Sequence, residues 1–208
     1  MIRVKICGIT CAEDARVAVE AGADALGFIF VEGTPRYVAP ATAAAIVAEL
    51  PPFVTAVGVF WDHPTGHVKA IAEQCRLGAL QFHGDEPPEA LAAHRLPTIK
   101  TIKLAGPDDL LRAEAYPQST CMFDSAARWS EGGPRAPISW ELARGVAARR
   151  RIILSAGLTP DNVAAAVRLV RPYAVDVDSG VEARPGRKDP DKVLRFVAAA
   201  RAAQGGEA

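Results

Sequence analysis

The chain has 208 residues, half of them hydrophobic, with 24 basic side chains balanced by 24 acidic ones. That length suits one substantial domain with enough apolar surface for a large core. Zero net charge removes any general electrostatic drive toward nucleic acid or an anionic membrane, and no apolar run is long enough to span a bilayer. No basic–apolar leader is read at the start, so the expected compartment is the cytoplasm. The four cysteines, Cys7, Cys11, Cys75 and Cys121, include no C-x-x-C pair and have no histidine nearby to complete a zinc site. They read as free thiols, and no metal is implied.

Along the chain, short β-rich runs alternate with helical patterns. The first run, "MIRVKICG", carries β-branched residues to a cysteine and stops on a glycine. A strand near 3–7 leads to a helix near 12–21, and a strand near 24–30 to a helix near 40–50. The pattern continues with strand 54–60 and helix 66–76, strand 79–82 and helix 87–94, then strand 98–103 and helix 108–115. It closes with strand 120–124 and helix 139–149, strand 152–155 and helix 161–170, then strand 173–178 and a helix near 190–203. Thr159-Pro160-Asp161 and Asp189-Pro190 both read as an N-cap followed by proline at the first helical position.

Eight strand–helix units with no linker between them predict an α/β fold, a single (β/α)8 barrel over residues 1–208 with a frayed tail near 203–208. An open doubly wound sheet would need fewer strands, and no G-x-G-x-x-G loop follows the first one. In such a barrel the working face lies at the C-terminal ends of the strands. Taken in order, those ends carry Cys7, Thr34-Pro35-Arg36, Trp61-Asp62-His63, His83-Gly84-Asp85-Glu86, Lys103, Asp124-Ser125, Ser155-Ala156-Gly157 and Asp178-Ser179-Gly180. Polar and ionisable groups thus gather on one rim, while the strand interiors read as Val, Ile, Ala and Phe.

Two loops suit a phosphate. "SAGLTPDN" brings Gly157 toward a helix start, where backbone N–H groups favour an anion, and "DSGVEARPGRKD" supplies a glycine-containing loop after the eighth strand. The blander alternative is that Gly157 and Gly180 merely turn the chain. The loop "SAARWSEGGPRAPI" over 125–138 is long and aperiodic enough to be a lid or binding loop, with Gly132-Gly133 as a hinge. Cys11, Cys75 and Cys121 read as packing residues, and His63, His67 and His94 as surface. His83 leads into a turn at the mouth and is a candidate to touch substrate. Glu182, Arg184, Arg187 and Lys188 read as a solvated loop or as charges that steer an anion.

"KICGIT", "GFIF…TPRYV", "VGVF", "LQFHGDE", "FDS", "LSAGLTPDNV" and "DVDSGVEARPGRKD", in that order over about residues 3–190, resemble the successive signatures of phosphoribosylanthranilate isomerase. The resemblance implies an enzyme of tryptophan biosynthesis. It implies a cofactor-free Amadori rearrangement of N-(5-phosphoribosyl)anthranilate to 1-(2-carboxyphenylamino)-1-deoxyribulose 5-phosphate. By motif, Cys7 is then the general base and Asp124 the general acid. Arg36 and Asp176 fall near the anthranilate, joined by His83 as a substrate candidate. Gly157, Ser179 and Gly180 fall in the phosphate loops. The implied partner is a small phosphorylated molecule, with no nucleic acid and no membrane, the chain being a monomer or a homodimer.

That chemistry needs an acid to protonate the ribose ring oxygen and a base to remove the proton from C2 of the sugar. Lys5 shares a strand face with Cys7 by period-two alternation, so it is expected to hold Cys7 as thiolate and to pair with Asp176 across the first and eighth strands. Three positions depart from the family pattern. Proline and arginine at 134–135 replace small residues, Ala156 stands where glycine is common, and Asp178 stands where serine is frequent. These departures keep two other readings open: a related barrel acting on another phosphosugar amine, and a catalytically silent binding barrel.

Overall fold

The eight β-rich runs close on one another as parallel strands. They are β1 (Arg3–Ile6), β2 (Ala25–Ile29), β3 (Thr55–Phe60), β4 (Ala79–Phe82), β5 (Thr98–Lys103), β6 (Thr120–Asp124), β7 (Ile152–Leu154) and β8 (Ala174–Val177). Each pairs with the next, and β1 returns to β8 in the register Lys5↔Asp176. The helices are α1 (Ala12–Glu20), α2 (Pro40–Ala48), α3 (Thr65–Gln74), α4 (Pro88–Ala92), α5 (Asp108–Glu114), α6 (Trp140–Ala147), α7 (Val163–Val170) and α8 (Pro190–Ala202). Between β8 and α8 a small antiparallel pair forms, β9 (Glu182–Arg184) with β10 (Arg187–Lys188). The structure is a computed structural model that describes residues 1–125 and 138–203. The expected (β/α)8 barrel is present. The loop expected to bind or cover substrate, with Gly132-Gly133, Pro134 and Arg135, lies outside the described residues, as does the tail from 204 onward.

Local sequence explains the elements. α7 buries Val163, Ala166, Val167 and Val170, and α8 buries Val193, Phe196, Val197 and Ala200, each at the i, i+3, i+4, i+7 spacing of one helical stripe. Such burial contributes about 1.5–3 kcal/mol per large apolar side chain. Asp189 caps α8 as expected, accepting the Lys192 N–H at 3.0 Å with Pro190 in the first position. The cap expected at Thr159 is displaced. The Thr159 hydroxyl accepts from Asp161 N–H at 3.3 Å and Asn162 Oδ1 accepts from Thr159 N–H at 2.8 Å, so these residues form a turn and α7 begins at Val163.

Parallel strands covered by helices are buried on both faces, and the two faces differ here. Outward, Phe28, Phe60, Phe82 and Phe123 pack beneath the helices. Inward, the N-terminal half of the barrel holds a layer of Val57, Ala79, Ile99, Met122, Ile153 and Ala174. Two residues further along, the same face carries Gln81, Thr101, Asp124, Ser155 and Asp176, all buried, with Lys5 of β1 in the same ring. The expectation of wholly apolar strand interiors is therefore corrected. A polar ring survives inside because neighbouring strands supply partners, as in Gln81 Nε2 to Thr101 Oγ1 at 3.3 Å.

Candidate active site

Cys7 follows β1 directly, and its N–H donates to the Val177 carbonyl at 2.8 Å, so the thiol is held against the end of β8. It is 4% exposed and packs with Ile29, Val59 and Val31. A Cβ on Gly27 of β2 would lie 2.6 Å from the Cys7 sulfur and 3.1 Å from Lys5 Cε. Only glycine leaves room for both side chains there. Lys5 donates to Asp176 Oδ1 at 2.6 Å, as the strand register led us to expect, and Ser155 Oγ donates to Asp176 Oδ2 at 3.1 Å.

The charge state of Cys7 differs from expectation. Burial pushes its thiol from an ordinary 9.0 up to about 12, with Lys5 pulling it down and Asp176 and Asp178 pushing it further up. Lys5 itself loses by burial but gains more from Asp176 and Cys7, so its pKa is raised. Lys5 thus favours the thiolate without reaching it. Its positive charge is already matched by Asp176, and burial keeps Cys7 a thiol.

Asp124, at the end of β6, is 1% exposed. Its Oδ1 accepts the Ser125 N–H at 2.8 Å and its Oδ2 lies 3.6 Å from His83 Nε2. His83 follows β4, its N–H bound to the Phe60 carbonyl at 2.9 Å and its ring 5.2 Å from that of Trp61. The histidine read as a substrate candidate is therefore also a neighbour of the proposed acid.

Arg36 enters from the β2–α2 loop and is engaged by two carboxylates. It meets Glu182 at 2.9 and 2.7 Å in a two-pronged contact and Asp178 at 3.0 Å. Lys188 bridges the same acids, at 2.9 Å to Asp178 and 3.1 Å to Glu182. Burial opposes the charge of both cations, but the acids outweigh it and raise both pKa values. Glu182 and Lys188, read from sequence as part of a solvated loop, are buried, because β9 and β10 fold this segment back over the barrel end. Asp178, one of the departures from the family pattern, has its charge matched in this network by Arg36 and Lys188.

The two anion loops touch. Ala156 and Gly157 adopt left-handed φ values of 67° and 62°, and Asn162 Nδ2 donates to the Gly157 carbonyl at 2.8 Å. Gly180 lies in a 3-10 turn over Ser179–Val181, and a Cβ there would collide with the Leu158 carbonyl. The backbone N–H groups of Gly157, Ser179 and Gly180 have no hydrogen-bond partner among the described residues. Buried or half-buried donors left so are suited to an anion.

Cys75 and Cys121 are packing residues as expected, their thiols donating to the carbonyls of Pro40 at 3.3 Å and Ala113 at 3.7 Å. His63 and His67 stack on each other 5.4 Å apart, and His94 is half-buried against Phe82 rather than free on the surface. Sequence reasoning missed Lys100, buried on β5, which donates to Glu86 at 2.8 Å and the Gly84 carbonyl at 2.6 Å. Its signal was the first of the two lysines in "TIKTIK", on the opposite strand face from Thr101.

Fold and site together define a (β/α)8-barrel protein whose strand ends gather a thiol, a buried carboxyl and backbone N–H groups with no partner among the described residues. A sequence profile of the N-(5'phosphoribosyl)anthranilate (PRA) isomerase family matches residues 4–199, and the chain belongs to that family. Similar proteins include the N-(5'-phosphoribosyl)anthranilate isomerase of Geobacter sp. (strain M21), 49% identical over 97% of this chain and 98% of its own. Among solved structures, phosphoribosyl anthranilate isomerase from Thermotoga maritima superposes with a TM-score of 0.91 at 42% identity, over 97% of this chain and all of its own. A phosphoribosyl anthranilate isomerase in complex with reduced 1-(o-carboxyphenylamino)-1-deoxyribulose 5-phosphate has a TM-score of 0.89 at 41% identity, with the same coverage.

Proposed function

We propose that this chain catalyses the Amadori rearrangement of N-(5-phosphoribosyl)anthranilate in tryptophan biosynthesis, with Asp124 as general acid and Cys7 as general base. The observation that carries the reading is the polar ring inside the barrel mouth, with Asp124 and Asp176 in it and Cys7 at its edge. Asp124 in its protonated form gives its proton to the ribose ring oxygen as the C1–O bond breaks, and the nitrogen lone pair forms an iminium. The Cys7 thiolate takes the proton from C2, and the C–H electron pair becomes the C1=C2 bond of an enolamine. Protonation at C1 and loss of the hydroxyl proton then give the ketone.

The phosphate sits on the N–H groups of Gly157, Ser179 and Gly180. Arg36, His83 and Asp176 face the anthranilate end, with Arg36 keeping Glu182 as its structural partner. The cytoplasm suits both a biosynthetic enzyme and a protein whose four cysteines are all free. No described helix is long and apolar enough to cross a membrane. The Thermotoga maritima relative is described as dimeric. Met1 (90% exposed) and Phe53 (94%) both precede strands at the N-terminal end of the barrel, so a homodimer through that end would leave the mouth open.

The test is growth of a tryptophan auxotroph lacking this isomerase. The intact chain should restore growth, and neither Cys7→Ser nor Asp124→Asn should. Failure of the intact, folded chain to turn over the anthranilate substrate, with turnover of a different phosphosugar amine, would replace the substrate while keeping the acid–base pair.

A further inference from the structure

A base must be charged at the moment it breaks a C–H bond, yet the burial of Cys7 favours a neutral sulfur. The charged groups facing Cys7 are Lys5 from its own strand, Asp176 and Asp178 from β8 and its end, Arg36 from the β2–α2 loop and Lys188 from β10. Arg36 and Lys188 are each held by both Asp178 and Glu182. Lys5 is held by Asp176 Oδ1, and among the described residues the second oxygen, Oδ2, accepts from the hydroxyl of Ser155. Lys5 Cε and the Cys7 sulfur both crowd the position a Cβ on Gly27 would take, and Lys5 interacts with the thiol as well as with the carboxylate.

We propose that the Lys5–Asp176 pair is a substrate-operated charge switch, in which Lys5 is a positioning residue that turns its charge toward Cys7 when Asp176 takes up the cation formed on the substrate nitrogen. This inference rests on the reading of Cys7 as base and Asp176 as a neighbour of that nitrogen. Before ring opening the nitrogen is a neutral arylamine and competes weakly for Asp176. Ring opening sends the C1–O electron pair to oxygen and the nitrogen lone pair into C=N, leaving an iminium. A charge-assisted bond to a carboxylate is about twice as strong as a neutral one. Asp176 then divides its charge between two cations, and the field of Lys5 at the sulfur grows. The thiol proton leaves to solvent, and the thiolate takes the C2 proton. The C–H pair forms C1=C2 while the C=N pair returns to nitrogen, which discharges the cation and returns Asp176 to Lys5. The base is thereby charged only in the interval when an acidified C–H is present.

The experiment follows Cys7 alkylation by iodoacetamide against pH, read on the Cys7 peptide, beside pH profiles of kcat and kcat/KM. In the intact protein the alkylation midpoint should lie well above the basic-form midpoint in the kcat profile. Asp176→Asn should lower the Cys7 midpoint in the free protein by about one pH unit or more, because Lys5 has lost its partner. Its kcat should still fall, because the iminium has lost its own. Lys5→Met should raise the midpoint and lower kcat at neutral pH about 100-fold, with activity partly recovered at alkaline pH and KM little changed. Should Lys5→Met fail to fold, the double variant Lys5→Met/Asp176→Asn removes both charges, and its Cys7 midpoint should lie above that of the intact protein. A Cys7 midpoint unmoved in Asp176→Asn, or a Lys5 variant that loses activity with an unchanged pH profile, overturns the proposal while leaving Cys7 as base. Full activity in Cys7→Ser removes both together.

Discussion

Two buried lysines on strands make the same bond in different surroundings. Lys5 and Lys100 are 4% and 1% exposed, and each meets a carboxylate, at 2.6 Å in Asp176 and 2.8 Å in Glu86. Lys100 faces outward, near the Tyr116 ring at 5.4 Å, and its acid also accepts the N–H groups of Asp62 and Gly84 at 2.8 and 3.3 Å. That cluster ties the loops after β3 and β4 to the barrel wall. Lys5 faces inward beside a thiol, and its acid keeps one oxygen toward a hydroxyl. On the switch proposed above, a buried ion pair joins the chemistry where its acid also faces a hydroxyl, and is scaffold where its acid also holds backbone N–H groups.

The contrast can be broken in order of expected effect. Asp124→Asn and Cys7→Ser should each lower kcat by about 10²–10⁴-fold with little change in melting, as expected for a general acid or base. Comparable loss of fold would show that the inward cluster is scaffold after all. Lys100→Met should do the reverse. It leaves Glu86 buried and unmatched, so chemical denaturation should show a loss of about 3–5 kcal/mol, with the kcat of the protein that stays folded near that of the parent.

Alkaline pH should separate the clusters next. The folded state raises the Cys7 pKa from 9.0 to about 12, so the native protein keeps a proton that the unfolded chain releases. The associated stability is complete below pH 9.0 and declines as pH rises through about 12. The raised pKa of Lys5 acts in the same sense, starting above 10.5. Melting temperature should therefore fall above pH 9, and Cys7→Ser should flatten the first part of that fall. The smallest effect should come from Ala156, beside the serine that holds Asp176. Its φ of 67° is left-handed, which costs a non-glycine residue about 1–2 kcal/mol, so Ala156→Gly should stabilise by about 0.5–1 kcal/mol after the entropy of glycine is counted. A loss of stability would mean that its buried methyl group packs better than the turn is strained.

The strands and helices were legible because their signals are local. The β-branched runs, the apolar stripes of α7 and α8 and the Asp189-Pro190 cap each lie within a few residues. That Gly157 shares one rim with Ser179 and Gly180 was legible because barrel topology puts the loops after the seventh and eighth strands together. Other features were not legible. Nothing near Lys100 indicates Glu86, since the pair joins β5 to the loop after β4 through the outer wall. The Arg36–Glu182 contact spans 146 residues, and the burial of Lys188 depends on a two-strand fold-back.

Alternation along the chain by itself determined a closed eight-stranded barrel and which side chains stand at its mouth, because hydrophobic period and strand direction are properties of neighbours in sequence. Only the tertiary structure decided how those side chains are charged. Whether a lysine beside a cysteine acts on it depends on which carboxylate the closure of β1 against β8 brings within 2.6 Å, and on how much water the barrel removes from the sulfur. Both are set by residues distant in the chain, in a medium where burial and opposing charge are strong enough to reverse what either residue would do in solution.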